Sequence, residues 1–303
     1  MKKTIIVFLT GLILTSFNCL AQDQAADTVW RTGGIFSLNL GQSSFTNWAA
    51  GGQNSYSLNG LINLTANYKK DKSAWDNALI LGRGMMFLKN GTPEWTKTDD
   101  RIDLQSKYGR KASEKWYYSA LMSFKTQMSD GYNYPDTENK ISGLLSPGYL
   151  LFALGMDWKP IPEFSAFLSP VTSKNTIVID QGLSDAGAFG VDPGKNFRGE
   201  LGAYANLIYK KDEIFKNTGF ATRLDLFSNY LHNPQNIDIN WETMLILKVN
   251  EFISATVNTL LIYDDDILIK VDEDSEGEAI LGKRVQFKEV IGVGLTYKFV
   301  KFK

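Results

Sequence analysis

The chain is poor in the residues that carry most reactive chemistry. Its 303 residues include one cysteine, Cys19, and one histidine, His232. A disulfide framework is excluded. A lone histidine before Asn233-Pro234, with Ser228 as the nearest hydroxyl, gives no base–nucleophile–orienter set. No enzyme is therefore expected, and no cofactor or metal. Long apolar runs are also missing: beyond residue 21 nothing approaches the roughly 18 residues of a membrane-crossing helix. Charge is balanced, at 32 Lys+Arg against 33 Asp+Glu, so nothing points to nucleic acid as a partner.

What is present begins with an address. Lys2 and Lys3 precede an apolar run from Thr4 to Phe17, and Cys19-Leu20-Ala21 resembles a cleavage site before Gln22. A lipidated Cys19 matches less well, because Phe17 and Asn18 replace the small residues that should precede it. Cleavage after residue 21 removes Cys19 and leaves 303 − 21 = 282 residues with a net charge of −1 − 2 = −3. The expected organisation is a signal peptide (1–21), a short segment (22–32) and one closed domain (33–303).

From Tyr56 to Tyr68 the residues alternate. Tyr56, Leu58, Gly60, Ile62, Leu64, Ala66 and Tyr68 face one way; Ser57, Asn59, Asn63, Thr65 and Asn67, with Leu61, face the other. The run spans roughly 13 × 3.3 Å, far beyond a usual globular strand. The same pattern predicts twelve strands: Gly34–Gly41, Tyr56–Lys69, Ala74–Leu88, Arg101–Arg110, Trp116–Met128, Gly148–Lys159, Phe164–Val171, Phe197–Lys210, Thr218–Leu231, Ile237–Val249, Phe252–Tyr263 and Val285–Phe299. Short and long connections alternate along them, as in outer-membrane barrels. Aromatic residues beside the short turns (Tyr68, Trp75, Tyr108, Trp116, Trp158, Phe164, Tyr209, Phe220, Phe252, Tyr297) form an expected inner interfacial girdle. Phe36, Phe124, Phe197, Tyr230, Tyr263 and Phe287 are expected to form an outer one. The fold expected is all-β: a single 12-stranded antiparallel transmembrane barrel with short periplasmic turns and longer outer loops. The last strand, closing on Phe299 before Val300-Lys301-Phe302-Lys303, resembles an outer-membrane assembly signal.

Phe45-Thr46-Asn47-Trp48-Ala49-Ala50-Gly51-Gly52-Gln53-Asn54-Ser55 resembles the signature of a domain-of-unknown-function family of Gram-negative outer-membrane proteins. Leu168 to Lys174 and Asp185 to Val191 fit the same family. The resemblance implies location and architecture across the mature chain and carries no known activity. Trp48 is the expected loop anchor, and the loop after residue 172 is long enough to enter the lumen.

The wet faces place Arg101, Asp103, Lys107, Lys125, Arg198, Glu200, Arg223, Asp225, Asp238, Glu242 and Lys288 as candidate lumen-lining residues. Such charges act either as a structural network or as a selective lining. The acidic run of Asp264, Asp265, Asp266, Asp272, Glu273, Asp274, Glu276 and Glu278 reads as a solvated loop. The function expected is a porin-like channel or binding barrel for small hydrophilic solutes. The alternatives are a non-conducting structural or interaction subunit of an outer-membrane assembly and, more weakly, a lipid-modifying enzyme. Expected partners are membrane lipid, lipopolysaccharide, the barrel-assembly machinery and further outer-membrane proteins.

Overall fold

The computed structural model describes residues 29–44, 53–267, 269–273 and 279–302. The segment 1–21 expected to be a signal peptide, and the expected loop anchor Trp48, lie outside the described residues. In chain order the elements are β1 (Trp30–Ser43), β2 (Ser55–Lys70), β3 (Ser73–Leu88), β4 (Trp95–Lys111) and β5 (Trp116–Thr126). A loop hairpin, β6 (Gly131–Tyr132) and β7 (Lys140–Ser142), leads to β8 (Gly148–Ile161) and β9 (Phe164–Ile177). The short helix α1 (Gln181–Asp185) precedes β10 (Phe197–Phe215), β11 (Thr218–Asn229), β12 (Asp238–Lys248) and β13 (Ile253–Tyr263). A second loop hairpin, β14 (Ile269–Glu273) and β15 (Ala279–Gly282), precedes β16 (Gln286–Phe302).

Twelve of these strands close into one antiparallel barrel in the order β1-β16-β13-β12-β11-β10-β9-β8-β5-β4-β3-β2. All twelve expected strands are present, most of them longer than the alternation predicted. The β2–β3 ladder runs unbroken from Ser55↔Leu88 to Lys70↔Ser73. Its two-residue turn places Asp71 at φ 50°, and Asn217 does the same at φ 61° between β10 and β11; Asp and Asn tolerate that left-handed region. Connections at this end are short, while those at the other end span 44–54, 89–94, 127–147, 178–196, 230–237 and 264–285.

Outward side chains are apolar and exposed along the wall, including Leu40, Leu58, Phe152, Leu154, Trp241, Ile291 and Val293. Water-soluble monomers seldom expose so continuous an apolar belt, whereas a barrel in lipid requires one. Rings cluster at the short-turn end. Trp30 lies 5.3 Å from Tyr68 and 5.9 Å from Trp75, Trp116 lies 6.2 Å from Trp158, and Tyr209 lies 6.1 Å from Phe220 (centroid distances). Phe36 departs from expectation. It pairs opposite Tyr297 and stacks on Phe299 at 6.1 Å, so the register draws it into the lower girdle and not the outer one.

Two irregularities explain the short strand predictions. In β9 the inward positions switch from Phe167 and Ser169 to Thr172 and Thr176, with Pro170 as the extra residue at a register shift. Proline has no N–H to give a ladder and settles at bulges. A second shift between Gly84 and Met85, opposite Asp99 and Lys97, breaks the alternation in β4 upstream of Arg101. At the closure, β16 pairs with β13 over Gln286–Leu295 and with β1 over Gly294–Phe302.

The lumen as candidate functional site

Alternation puts one polar side chain per two residues on the inner wall, and closure of the sheet brings opposite walls within reach of one another. The result is a network of ion pairs through the interior. Nearest the short turns, Lys107 Nζ lies 2.9 Å from Asp157, whose side chain is only 1% exposed, and donates to Ser165 Oγ at 2.7 Å. Lys159 joins Asp157 at 3.4 Å and Asp76 at 2.5 Å.

In the middle layer Arg223 on β11 binds Asp103 on β4, Glu242 at 3.3 Å and Asp225 at 3.6 Å. Arg101 reaches Glu242 at 2.5 Å, from β4 to β12. Lys125 binds Asp225 at 3.1 Å, and that carboxylate also accepts from Tyr204 Oη and Asn206 Nδ2, each at 2.7 Å. Toward the long loops Lys174 sits among Asp238 (2.6 Å), Asp264 (3.2 Å) and Glu200 (3.6 Å). Arg198 binds Glu200 at 3.2 Å, Asp266, and the Gly190 carbonyl at 3.0 Å. Lys288 on β16 meets Asp99 on β4. Charges withdrawn from water in this way need partners, and these have them.

All the charged residues expected on the wet faces point inward and are ion-paired. Sequence reading missed Asp76, Asp157, Lys159, Lys174 and Asp99. Lys174 escaped because the β9 bulge reverses parity before it. The interior is also less polar than expected. Leu121, Ala153, Phe167, Tyr204 and Phe227 form a buried cluster, with Leu151 packed against it. These side chains belong to β5, β8, β9, β10 and β11, so one side of the lumen is filled. On the other side a cavity of about 40 Å³ remains, lined by Asn39, Asn59, Asp99, Arg101, Glu242, Asn258 and Lys288 among others.

The loop between β9 and β10 folds on a small core of its own, Val178, Leu183 and Val191, with Ala188 and Phe189 against it. Asp180 caps α1 by accepting from the Leu183 N–H at 3.1 Å and binds Lys140 at 2.9 Å. The hydrogen bond from Lys140 holds the Asp180 carboxyl below the usual carboxylate range. The loop thus sits on the rim, touching the lumen through Gly190 and Arg198. Asp265 is likewise engaged, at 2.7 Å from Lys283 and 2.5 Å from Asn236 Nδ2. The remaining acidic side chains of that loop, 272–278, lie outside those described. Among the described residues no group of three or more His, Cys, Asp or Glu is placed to hold a metal. His232 contacts Asn233 at 3.1 Å, while Ser228 Oγ donates to the Pro234 carbonyl at 2.6 Å, so the two do not meet.

Similar folds are known among solved structures. An outer membrane channel from Pseudomonas putida F1 is 12% identical, with a TM-score of 0.40, over 92% of this chain and 97% of that one. The NanC porin is 10% identical, with a TM-score of 0.36, over 89% and 99%. The translocator domain of the autotransporter NalP from Neisseria meningitidis is 10% identical, with a TM-score of 0.33, over 91% and 90%. No curated protein matches the sequence. The family match is narrower than the whole mature chain expected from the sequence, and Leu168–Val191 falls outside it. Residues 40–132, from the end of β1 to β6, match the family described as "Protein of unknown function (DUF3078)".

Proposed function

We propose that the chain is an outer-membrane barrel of a Gram-negative bacterium, and that it passes or binds small hydrophilic solutes through a narrow, charged and partly obstructed lumen. The apolar outer belt, the aromatic girdle and the sorting of loops by length support the membrane setting. With both termini periplasmic, the long loops face outward. The observation that carries the functional reading is the set of ion pairs joining opposite walls, Arg223–Asp103 and Arg101–Glu242 foremost. A lumen held this way admits little beyond small polar molecules, and wide general diffusion is not what it is built for.

Planar-bilayer recording of the refolded chain tests this. Small, discrete conductance steps are expected. Complete silence would overturn the reading and favour a non-conducting structural or interaction subunit. That second reading draws on the buried cluster of Leu121, Phe167, Tyr204 and Phe227, which a conduit does not need. Stoichiometric partners surviving mild detergent extraction would support it.

A further inference from the structure

The two ends of the barrel carry opposite charge. The outer connections, 44–54, 89–94, 127–147, 178–196, 230–237 and 264–285, hold 6 Lys+Arg against 15 Asp+Glu, 6 − 15 = −9. The short-turn end reverses the sign. Residues 69–72, 110–115, 159–163, 210–217, 248–252 and 298–301 hold 13 Lys+Arg against 6 Asp+Glu, 13 − 6 = +7.

Part of that positive charge has a regular placement. Four strands that run toward the short turns end on one pattern: an aromatic ring, one residue, then a cation. They are Tyr68-Lys69-Lys70 in β2, Tyr108-Gly109-Arg110 in β4, Tyr209-Lys210-Lys211 in β10 and Phe299-Val300-Lys301 in β16. Period two puts each cation on the same outward face as its ring. The register agrees, since Arg110 lies opposite Tyr118 and Lys211 opposite Phe220. The rings belong to the girdle: Tyr68 lies beside Trp30, Tyr108 pairs with Trp75, Tyr209 meets Phe220, and Phe299 stacks on Phe36. Each cation stands two residues beyond its ring, roughly 6–7 Å along the strand, where headgroups replace acyl chains. All four are exposed. Unlike the paired charges of the lumen, none of them forms an ion pair with a described residue.

Three of the four share one arc. β16, β1, β2, β3 and β4 are consecutive around the barrel, so Lys301, Lys70 and Arg110 fall within four strand spacings, roughly 19 Å. Lys72, in the turn between β2 and β3, adds a cation against the single carboxylate of Asp71. The structure assigns this arc to the phosphates of anionic glycerophospholipids in the leaflet on the short-turn side. A long basic side chain lays its stem along the apolar belt and carries its charge to headgroup level. Each such charge is worth about a fivefold preference for an anionic surface. This rests on the membrane setting of the barrel and not on whether solutes pass through it.

Quenching of tryptophan fluorescence by brominated lipid tests the arc, with the full chain refolded into vesicles of mixed phosphatidylcholine and phosphatidylglycerol. Trp30 and Trp75, 5.9 Å apart, stand on the arc and report on it. At low salt, bromine on phosphatidylglycerol should quench several-fold more, lipid for lipid, than bromine on phosphatidylcholine. That preference should vanish when Lys70→Gln, Arg110→Gln and Lys301→Gln are combined. It should persist when Lys89→Gln and Lys195→Gln are combined at the long-loop end, with heat-modifiable gel migration confirming that each barrel is folded. Equal quenching by the two lipids in the unaltered chain, or an unchanged preference in the folded triple variant, overturns the arc and leaves the membrane setting standing. No quenching by either lipid overturns the membrane setting and the arc with it. If the triple variant does not fold, salt on the unaltered chain decides. Screening should erase an electrostatic preference, and one that survives high salt overturns the arc.

Discussion

Arg223 on β11 binds Asp103 on β4 through the middle of the barrel, with β10, β9, β8 and β5 between the two strands along the wall. No neighbouring-strand contact of the sheet requires this pair. It acts as a strut across the lumen, and the same guanidinium serves Glu242 and Asp225.

Removing that strut should be severe. Arg223→Ala leaves three carboxylates without their shared cation, and a broken buried pair costs about 3–5 kcal/mol. Urea unfolding in detergent, followed by tryptophan fluorescence, should show that loss. Joint replacement of Arg223 by Met and Asp103 by Leu should recover part of it, since the uncompensated charge goes too.

The outer wall offers a test of the lipid setting. Val293 is 59% exposed and faces outward. In water, Val293→Arg would be near neutral. In a bilayer it should destabilise the barrel by about 2–4 kcal/mol, read from unfolding in lipid vesicles.

The rim loop should behave as a unit separate from the barrel. Leu183→Ala removes a buried leucine from the small core it shares with Val178 and Val191, a change worth about 2–5 kcal/mol in cores of ordinary size. The expected result is tryptic cleavage at Lys195 with the barrel fragment otherwise intact.

Acid should release the same loop. The Asp180 carboxyl is held below its ordinary 3.8, first by the hydrogen bond from Lys140. Because the folded value is depressed, its contribution is present above 3.8 and is lost as pH falls through the lower folded value. Lys140 shifts upward through its bonds to Asp180 and Asp130, so its share persists at neutral pH and fades only above 10.5. Brief pepsin digestion should show the loop resistant in mild acid and nicked in stronger acid, whereas Asp180→Asn should be nicked throughout.

Strand number, closure and the inward charges were legible because alternation is a local property, visible wherever a strand has one wet face. Tyr56–Tyr68 is the clearest case. What escaped was set by irregularity or by distance. Pro170 reverses parity within β9 and hid Lys174. Leu121, Phe167 and Phe227 sit on faces that otherwise read as polar, and only closure reveals that they meet. The close approach of Gly292 to Asn39 was equally invisible, since the two positions lie 292 − 39 = 253 residues apart.

The closing strand sets the order in which this barrel can be made. β16 lends its first half to β13 and its second to β1, sharing only Gly294 and Leu295 between both neighbours. It works as a lap joint, and the first pair in it joins Arg31 to Phe302, 302 − 31 = 271 residues apart. Pairings so remote in sequence form slowly. Until they do, β1 and β16 both present bare edges that invite wrong partners. A barrel built on such a joint keeps its seam open until its last strand is paired on both sides.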